Sequence, residues 1–286
     1  MASRRDRDFG RLRAHGAVPS IRASRRRMIL VTGMQRSGTS MVCQLLAACG
    51  ASFGDDADLL PADRWNASGY FEAKAVMDVN SRIITGFARH GSPFEAWLAK
   101  VAYLRMPRRS RIEARAPRHR ETVAALGRKY EPCVVKDPRF CLTLQHWRNW
   151  TDVSRIVVCM RNPAAVVESL LRRHGIPRWY GARFYAWHID SLVAQLPAQS
   201  VSYVDVDRLV AGDAGEFDAL RRGLGLPLDP PAASLLRRIV RPEVFASPGA
   251  GAALPAIAEQ SWRRLQDAAA RASTSTGSCS SERISR

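Results

Sequence analysis

Short apolar runs alternate with longer amphipathic segments along this chain. The runs predict buried strands, which we place at 29–31, 132–136, 155–160 and 200–206. Apolar residues that recur every three or four positions predict helices between and after these strands. The helices are expected at 39–49, 72–89, 163–173, 176–196, 213–223, 232–240 and 256–272. Strands alternating with helices predict an α/β fold with a parallel sheet flanked by helices on both faces.

The two ends of the chain differ in composition from this predicted domain. With 286 residues the chain can bury one substantial core, so we expect a single α/β domain at 28–272. The arginine-rich segment 1–27 and the Ser/Thr-rich segment 273–286 are predicted to be disordered tails. Met28 directly precedes the first strand, which raises the hypothesis that the natural protein starts there. Within the domain, 91–128 reads as a basic, helical insertion interrupted by prolines.

The net charge of +18 comes almost entirely from arginine, since only four lysines occur. A charge of this size suits nucleic acid, an anionic membrane surface or an acidic small molecule as partner. Nine of the arginines fall within 1–27. Because so much of the charge lies in a predicted tail, the first two interpretations are weakened.

The cysteine spacing and the hydropathy of the chain indicate the cellular compartment in which the protein is expected. The six cysteines form no C-x-x-C pair and no spacing typical of a metal site. The basic N-terminus is not followed by the apolar segment of a secretory signal. No run of about 18 apolar residues is present to span a membrane. We therefore expect a reduced, cytoplasmic protein without a metal ion or a transmembrane segment.

A glycine-bounded loop between the first strand and the first helix carries the most informative motif. The loop reads G-M-Q-R-S-G-T-S from Gly33 to Ser40. Backbone N–H groups and the helix dipole at such a turn bind phosphate, although a purely structural turn is the alternative. Gly33 and Gly38 match the nucleotide-binding pattern G-x-x-x-x-G-K-[ST], but Thr39 replaces the lysine. Since enzymes that cleave nucleoside triphosphates use that lysine, its loss argues against ATP or GTP cleavage.

Two further groups of polar residues follow predicted strands. Lys136 and Asp137 stand at the end of the second strand, because Pro138 cannot continue it. Arg161 ends the third strand, and Ser169 lies two turns into the next helix. An arginine offers a planar fork of donors to a phosphate, and a serine hydroxyl adds another donor. Because ligands of parallel sheets bind beyond the carboxyl ends of the strands, we expect all these residues in one crevice.

Taken together, these motifs resemble the P-loop sulfotransferases that use 3′-phosphoadenosine 5′-phosphosulfate (PAPS). The matching segments occur in the family's order and span roughly 28–173. They are R-S-G-T-S at 36–40, G-Y-F-E at 69–72, K-D-P-R at 136–139, and R-N-P at 161–163 with Ser169. The resemblance implies a P-loop NTPase-like sheet, PAPS as co-substrate, and no metal.

The resemblance also implies how the donor is bound. The 33–40 loop would hold the 5′-phosphosulfate, and Arg161 with Ser169 would hold the 3′-phosphate. The loop residues implied are Gly33, Gln35, Arg36, Ser37, Gly38, Thr39 and Ser40. The missing lysine then has an explanation, because PAPS has no γ-phosphate to polarise.

The implied reaction is in-line transfer of a sulfuryl group to a hydroxyl or amine of a small-molecule, carbohydrate or lipid acceptor. Arg36 and Lys136 would neutralise the charge that develops in the transition state. A carboxylate should take the acceptor's proton, with Glu72 as first candidate and Asp137, which could instead pair with Lys136, as second. Pro138 occupies the place where some relatives have a catalytic histidine. The remaining histidine candidates for this base are His90, His174 and His188.

Two other classes of protein stay open on the residues alone. A nucleotide or small-molecule kinase of the same fold would need a cation equivalent to the missing lysine, and Mg²⁺ ligands. A nucleic-acid-binding protein would fit the net charge, although the sequence holds no recognisable binding motif. We expect no specific nucleic-acid partner. The 91–128 insertion is predicted to lie on the acceptor side.

Overall fold

A four-stranded parallel sheet forms the centre of the protein, in the order β2-β1-β3-β4. The computed structural model describes residues 27–63, 69–245 and 253–278. The strands are β1 (Met28–Thr32), β2 (Val134–Lys136), β3 (Val153–Met160) and β4 (Val201–Asp205). All neighbouring strands run parallel. The predicted α/β class with a parallel sheet is therefore confirmed.

Helices surround this sheet. In chain order they are α1 (Thr39–Ala48), α2 (Lys74–Thr85), α3 (Pro93–Leu104), α4 (Arg109–Arg115), α5 (Arg120–Lys129), α6 (Phe140–Trp150), α7 (Pro163–His174), α8 (Arg178–Val193), α9 (Val206–Val210), α10 (Ala214–Leu224), α11 (Ala232–Ile239), α12 (Pro242–Phe245) and α13 (Ala256–Ser278). The strand order reverses direction at β2. Helix α6, which follows β2, packs against α2 and α5, which precede it.

The central strands explain why the sequence reads as continuous apolar runs. In the register, Leu30 of β1 is opposite Val135 of β2 on one side and Ile156 of β3 on the other. All three side chains are buried. Strands covered on both faces have no polar face, so the pattern shows no alternation. The edge strand β4 is only partly buried over most of its length.

The 91–128 insertion forms helices that pack on the same domain. Pro93 begins α3, and Pro117 lies in a 3₁₀ turn at Ala116–His119. The insertion contributes Ile112 and Val123 to the core. Its helices therefore pack on the hydrophobic core that surrounds the sheet.

The structure contains three helices that the sequence analysis did not assign, α6, α9 and α12, and it extends the last helix. Helix α6 follows β2 at a position to which the sequence analysis assigned no element, although Phe140, Leu144 and Trp147 recur at helical spacing and are buried. Helix α13 continues to Ser278, past the predicted start of the tail at 273. The predicted tail at 1–27 lies outside the described residues apart from Arg27, as does the segment 279–286.

A buried asparagine joins the elements behind the carboxyl end of β2. Asn80 of α2 is fully buried and donates from Nδ2 to Asp137 Oδ2 at 2.9 Å. Its Oδ1 accepts from Thr143 Oγ1 at 2.9 Å and from Trp147 Nε1 at 2.8 Å, both on α6. Trp147 Nε1 and Asp137 Oδ2 have Asn80 as their hydrogen-bond partner, whereas the Thr143 hydroxyl is also within 3.2 Å of the Arg139 carbonyl oxygen.

We expect Asn80→Ala to lower the free energy of unfolding by about 3 kcal/mol or more, because it leaves buried polar groups unpaired. Urea denaturation measures the change. Asn149→Ala, at an exposed position of α6, is the matched control and should cost about 0.5 kcal/mol or less. Equal losses in the two variants would contradict this role of Asn80.

Candidate functional site

The 33–40 loop makes a tight turn between β1 and α1. Gly33 has φ +147° and Gly38 has φ +81°, and Arg36 also lies in the left-handed region at φ +73°. A Cβ atom on Gly33 would lie 2.6 Å from the carbonyl oxygen of Cys159, and one on Gly38 would lie 2.6 Å from Cγ1 of Val206. Both glycines are therefore required by close contacts as well as by backbone conformation.

The Ser37 and Thr39 side chains are buried within this turn. The Ser37 hydroxyl donates to the Met34 carbonyl oxygen, which closes the loop on itself. Thr39 is the first residue of α1 and is 4% exposed. These two residues stabilise the loop, while its partly exposed members Gln35, Arg36 and Ser40 face other parts of the site.

Arg36 meets Ser169 across the crevice. The Arg36 Nε donates to Ser169 Oγ at 2.9 Å. Burial, together with Arg173 and Arg161, lowers the pKa of Arg36 to about 10, so the guanidinium stays charged at neutral pH. The sequence assigned Arg36 and Ser169 to different phosphates, whereas the structure brings the two side chains into direct contact.

Arg161 holds the loop from the end of β3. Its Nη1 donates to the Arg36 carbonyl oxygen and its Nη2 to the Phe245 carbonyl oxygen, each at 2.8 Å. Its Nε is buried and has no hydrogen-bond partner among the described residues, although Asp207 Oδ1 lies 3.7 Å away. The guanidinium carbon lies 5.0 Å from the centre of the Phe245 ring. Arg161 and Ser169 therefore both meet the loop at Arg36.

Lys136 links the loop to the G-Y-F-E segment. Its Nζ donates to Ser40 Oγ at 3.2 Å and to the Tyr70 carbonyl oxygen at 3.0 Å. The third contact is an ion pair with Glu72 Oε1. Lys136 is 2% exposed, and these contacts occupy all three of its protons. The ammonium beside the loop thus comes from β2, since position 39 is a threonine.

Glu72 lies two residues before α2 rather than at its start. Its carbonyl oxygen accepts from Leu60 N at 2.8 Å, next to an isolated antiparallel bridge between Leu59 and Ala73. The Glu72 side chain is buried against Lys136. A short extended segment, not the helix N-terminus, therefore positions this carboxylate.

Asp137 points away from Lys136 and into the fold. Its Oδ1 accepts from Arg139 N at 2.8 Å and from Arg139 Nη1 at 3.1 Å, and its Oδ2 accepts from Asn80. Burial raises the pKa of Asp137. Asp137 does not form the pair with Lys136 that was the alternative to a catalytic role, because Arg139 is its ionic partner and Lys136 pairs with Glu72.

A buried chain of hydrogen bonds runs from the loop to α8. Gln35 Nε2 donates to the Tyr103 hydroxyl at 3.3 Å, and that hydroxyl lies 2.6 Å from His188 Nε2. His188 Nδ1 lies 2.7 Å from the Phe184 carbonyl oxygen, which can only accept. Nδ1 therefore carries the proton and Nε2 accepts from Tyr103. Burial lowers the pKa of His188 to about 4, so this histidine is neutral at pH 7.

The two other candidate histidines lie elsewhere. His90 contacts Asp78 through Nδ1 at 3.0 Å in the connection between α2 and α3. His174 ends α7 near the crevice, where desolvation, Arg173 and Arg36 lower its pKa. His174 is thus neutral at pH 7 and could accept a proton at the mouth of the crevice.

Sequence reasoning missed two residues of this site. Arg173 Nη2 donates to the Tyr70 hydroxyl at 2.6 Å, and Arg173 is close enough to Arg36 to lower its pKa. The sequence did hold a signal, because Arg173 follows Ser169 by four residues and shares its helix face. The second is Tyr103 in the insertion, for which no local pattern indicated a contact with the loop.

The crevice as a whole is cationic. Arg36, Arg161, Arg172 and Arg173 lie close enough to act on one another's charge. Within 27–63, 69–245 and 253–278, no group of three His, Cys, Asp or Glu side chains is arranged to hold a metal ion. In the same part of the chain, no helix is long and apolar enough to cross a membrane.

The four neighbouring arginines of the crevice favour the binding of an anion with more than one negative group.

Among known proteins, the chain shows similarity to solved structures. No family model and no curated protein matches this chain. The sulfotransferase domain from the curacin biosynthetic pathway is 14% identical over 84% of this chain and 97% of that domain, with a TM-score of 0.47. The sulfotransferase domain from the Synechococcus PCC 7002 olefin synthase is 16% identical over 92% and 98%, with a TM-score of 0.42. A Mycobacterium tuberculosis sulfotransferase is 15% identical over 84% and 76%, with a TM-score of 0.45. The likeness is loose, so function is argued below from this chain's own residues.

His188 makes the stability of the protein depend on pH. Its pKa is about 4 in the fold against an ordinary 6.5, so the unfolded state binds more protons between these values. Stability therefore falls as the pH drops through that window. Between about pH 7 and about pH 4.5, we expect the wild type to lose about 2 kcal/mol more unfolding free energy than His188→Gln does. Urea denaturation at the two pH values measures this; equal losses would contradict the assignment.

Proposed function

We propose that this protein is a sulfotransferase that moves a sulfuryl group from PAPS to a hydroxyl or amine of a small-molecule, carbohydrate or lipid acceptor. One observation carries the proposal: the buried Arg161 and Ser169 both contact Arg36 of a glycine-bounded loop that has no lysine of its own. An enzyme that acts on a γ-phosphate has no need of a second basic group behind this loop. A donor with separate 5′ and 3′ anionic groups needs a second basic group, in addition to the loop, to bind its 3′-phosphate.

The donor site we propose combines the 33–40 loop with Arg161 and Ser169. Backbone N–H groups of the turn and the start of α1 would bind the 5′-phosphosulfate. Ser169 and Arg161 would bind the 3′-phosphate. The residues fit such a group because the Arg161 Nε is a buried donor with no hydrogen-bond partner among the described residues. A phosphate would also replace the Phe245 carbonyl oxygen as acceptor for Nη2.

PAPS would supply an activated sulfur atom bound to a phosphate leaving group. The sulfur–oxygen bond to the phosphate would break as the sulfur forms a bond to the acceptor's oxygen or nitrogen, and adenosine 3′,5′-bisphosphate would leave. Arg36 and Lys136 carry the positive charge that neutralises the leaving oxygen. We assign the acceptor's proton to Glu72, the carboxylate that pairs with Lys136 beside the loop.

The alternatives gain no specific support. The carboxylates near the loop that could hold Mg²⁺ for a kinase are Glu72, which pairs with Lys136, and Asp137, whose two oxygens accept from Arg139 and Asn80. The net charge of +18 suggested nucleic acid, and the most basic segment, with nine arginines, is 1–27. We keep the cytoplasm as the expected location and the 91–128 insertion as the acceptor side, since its Tyr103 contacts the loop.

Donor binding can be tested by calorimetric titration of adenosine 3′,5′-bisphosphate, AMP and Mg·ATP. AMP lacks only the 3′-phosphate, so it isolates the contribution of Arg161 and Ser169. We expect the bisphosphate to bind about tenfold or more tightly than AMP. Arg161→Lys and Ser169→Ala should each lower the bisphosphate affinity severalfold while leaving the affinity for AMP almost unchanged.

The controls for this titration are Arg183→Lys and Ser191→Ala, at positions of α8 outside the crevice. Both should bind all three ligands as the wild type does. Tighter binding of Mg·ATP than of the bisphosphate, with no effect at Arg161, would overturn the sulfotransferase proposal and favour a kinase.

The role of Glu72 can be tested without knowing the acceptor, by following slow PAPS hydrolysis with water as the acceptor. Glu72→Gln keeps the size and a hydrogen bond to Lys136 but removes the base. We expect it to lower the rate of bisphosphate release by about 100-fold or more, with bisphosphate affinity almost unchanged. Glu259→Gln, on α13, is the control.

His174→Ala tests the competing base at the mouth of the crevice. If Glu72 is the base, this variant keeps most of the hydrolysis rate. A large loss in His174→Ala together with a wild-type rate in Glu72→Gln would transfer the role to His174.

A further inference from the structure

A second pocket lies outside the crevice, between the end of α2 and helices α3 and α4. Its volume is about 600 Å³, within the range of about 300–1,000 Å³ that is usual for small-molecule sites. One wall is apolar and is formed by Phe87, Leu98, Val101 and Met106. These four side chains are only partly buried, so a ligand could still remove apolar surface from water there.

The other wall of this pocket is strongly basic. It is formed by Arg105, Arg108, Arg111 and Arg115, and none of the lining residues is acidic. Arg108, Arg111 and Arg115 are spaced three and four residues apart and share one face. Arg109, on the next face of α4, pairs with Glu113 at 2.7 Å.

Three of the pocket arginines lack a counter-charge. Among the described residues, Arg105, Arg108 and Arg111 form no ion pair within 4.0 Å and no side-chain hydrogen bond. Arg115 donates from Nη1 to the Ile84 carbonyl oxygen at 2.9 Å, which fixes its position at the end of α2. The like charges are therefore brought together in one concave site without a carboxylate to offset them, which favours an anionic ligand.

The pocket is separate from the donor crevice. Val101 and Arg105 occupy the face of α3 opposite Tyr103, whose hydroxyl contacts Gln35 of the 33–40 loop. Thr85, which also lines the pocket, lies thirteen positions after Glu72. Helix α2 begins at Lys74 and ends at Thr85, so at the helical rise of 1.5 Å per residue its two ends are about 16 Å apart. A molecule held in the pocket therefore does not reach Glu72 with its anionic group.

We propose that this pocket binds a small amphipathic anion, with its carboxylate, sulfate or phosphate group on the arginines and its apolar chain on the opposite wall. The proposal does not depend on the sulfotransferase activity, because none of its residues belongs to the donor site. The charge complementarity favours a small ligand over a polyanion, since the apolar wall adds affinity only to a molecule with an apolar part.

The proposal can be tested by calorimetric titration of decanoate into the full chain. Decanol, which lacks the charge, and inorganic phosphate, which lacks the chain, are the matched probes. We expect decanoate to bind about tenfold or more tightly than either, because only it uses both walls. Adenosine bisphosphate at saturation should not displace it.

A triple variant of the pocket arginines, a matched triple variant outside the pocket and one pocket-filling variant locate the binding. The triple variant Arg105→Gln, Arg108→Gln and Arg111→Gln should weaken decanoate binding about tenfold or more. Arg118→Gln, Arg120→Gln and Arg183→Gln remove the same charge outside the pocket and should leave the affinity within about twofold of wild type. Ala102→Trp fills the pocket without changing charge and should also weaken binding.

Equal losses in the two triple variants would overturn the proposal, because they would show binding to net charge alone. Binding of decanol or phosphate as tight as that of decanoate would overturn it as well, as would displacement by the bisphosphate. Thermal unfolding of each variant, compared with wild type, establishes that a loss of binding is not a loss of fold.

Discussion

The buried ammonium group of Lys136 is the interaction on which the arrangement of this site depends. A charge removed from water is stable only when its hydrogen bonds are satisfied, and here they go to Ser40, to the Tyr70 carbonyl oxygen and to Glu72. These partners belong to the 33–40 loop and to the segment before α2. Satisfying one ion thus fixes the position of two segments that are about thirty residues apart in the chain.

The arginines of the crevice impose the opposite constraint. Arg36, Arg161 and Arg173 lie close together. Burial lowers the pKa of Arg36, and the charges of Arg173 and Arg161 lower it further, so repulsion between these arginines is part of the folded state. Arg161 offsets some of this by donating to backbone carbonyl oxygens of Arg36 and Phe245. An anionic ligand would relieve the repulsion further, and the site therefore favours binding of a multiply charged anion.

The 91–128 insertion is tied to the site by one side chain. Tyr103 accepts from Gln35 of the loop and donates to the neutral His188 of α8. Its ring also lies 5.7 Å from the guanidinium of Arg139, which holds Asp137. Burial raises the pKa of Tyr103, so the hydroxyl keeps its proton and the direction of this chain of hydrogen bonds is fixed.

Sequence patterns alone gave the strands, most helices and the members of the crevice. Buried parallel strands read as apolar runs, and their carboxyl ends must meet at one edge of the sheet, so Lys136, Arg161 and the 33–40 loop could be grouped without coordinates. Helix α6 was missed despite its helical spacing, and Glu72 was placed on a helix although a short bridge holds it.

The pairing of charges was decided only by the tertiary structure. Asp137 adjoins Lys136 in sequence, yet successive residues at a strand end point to opposite sides, so Asp137 meets Asn80 and Arg139 while Lys136 meets Glu72. The contacts of Tyr103 with Gln35 and His188 join residues 68 and 85 positions apart. The sequence determines which groups lie at the edge of the sheet, because strand periodicity is local. Which of them touch depends on side-chain direction and on the packing of distant helices, and no local pattern encodes either.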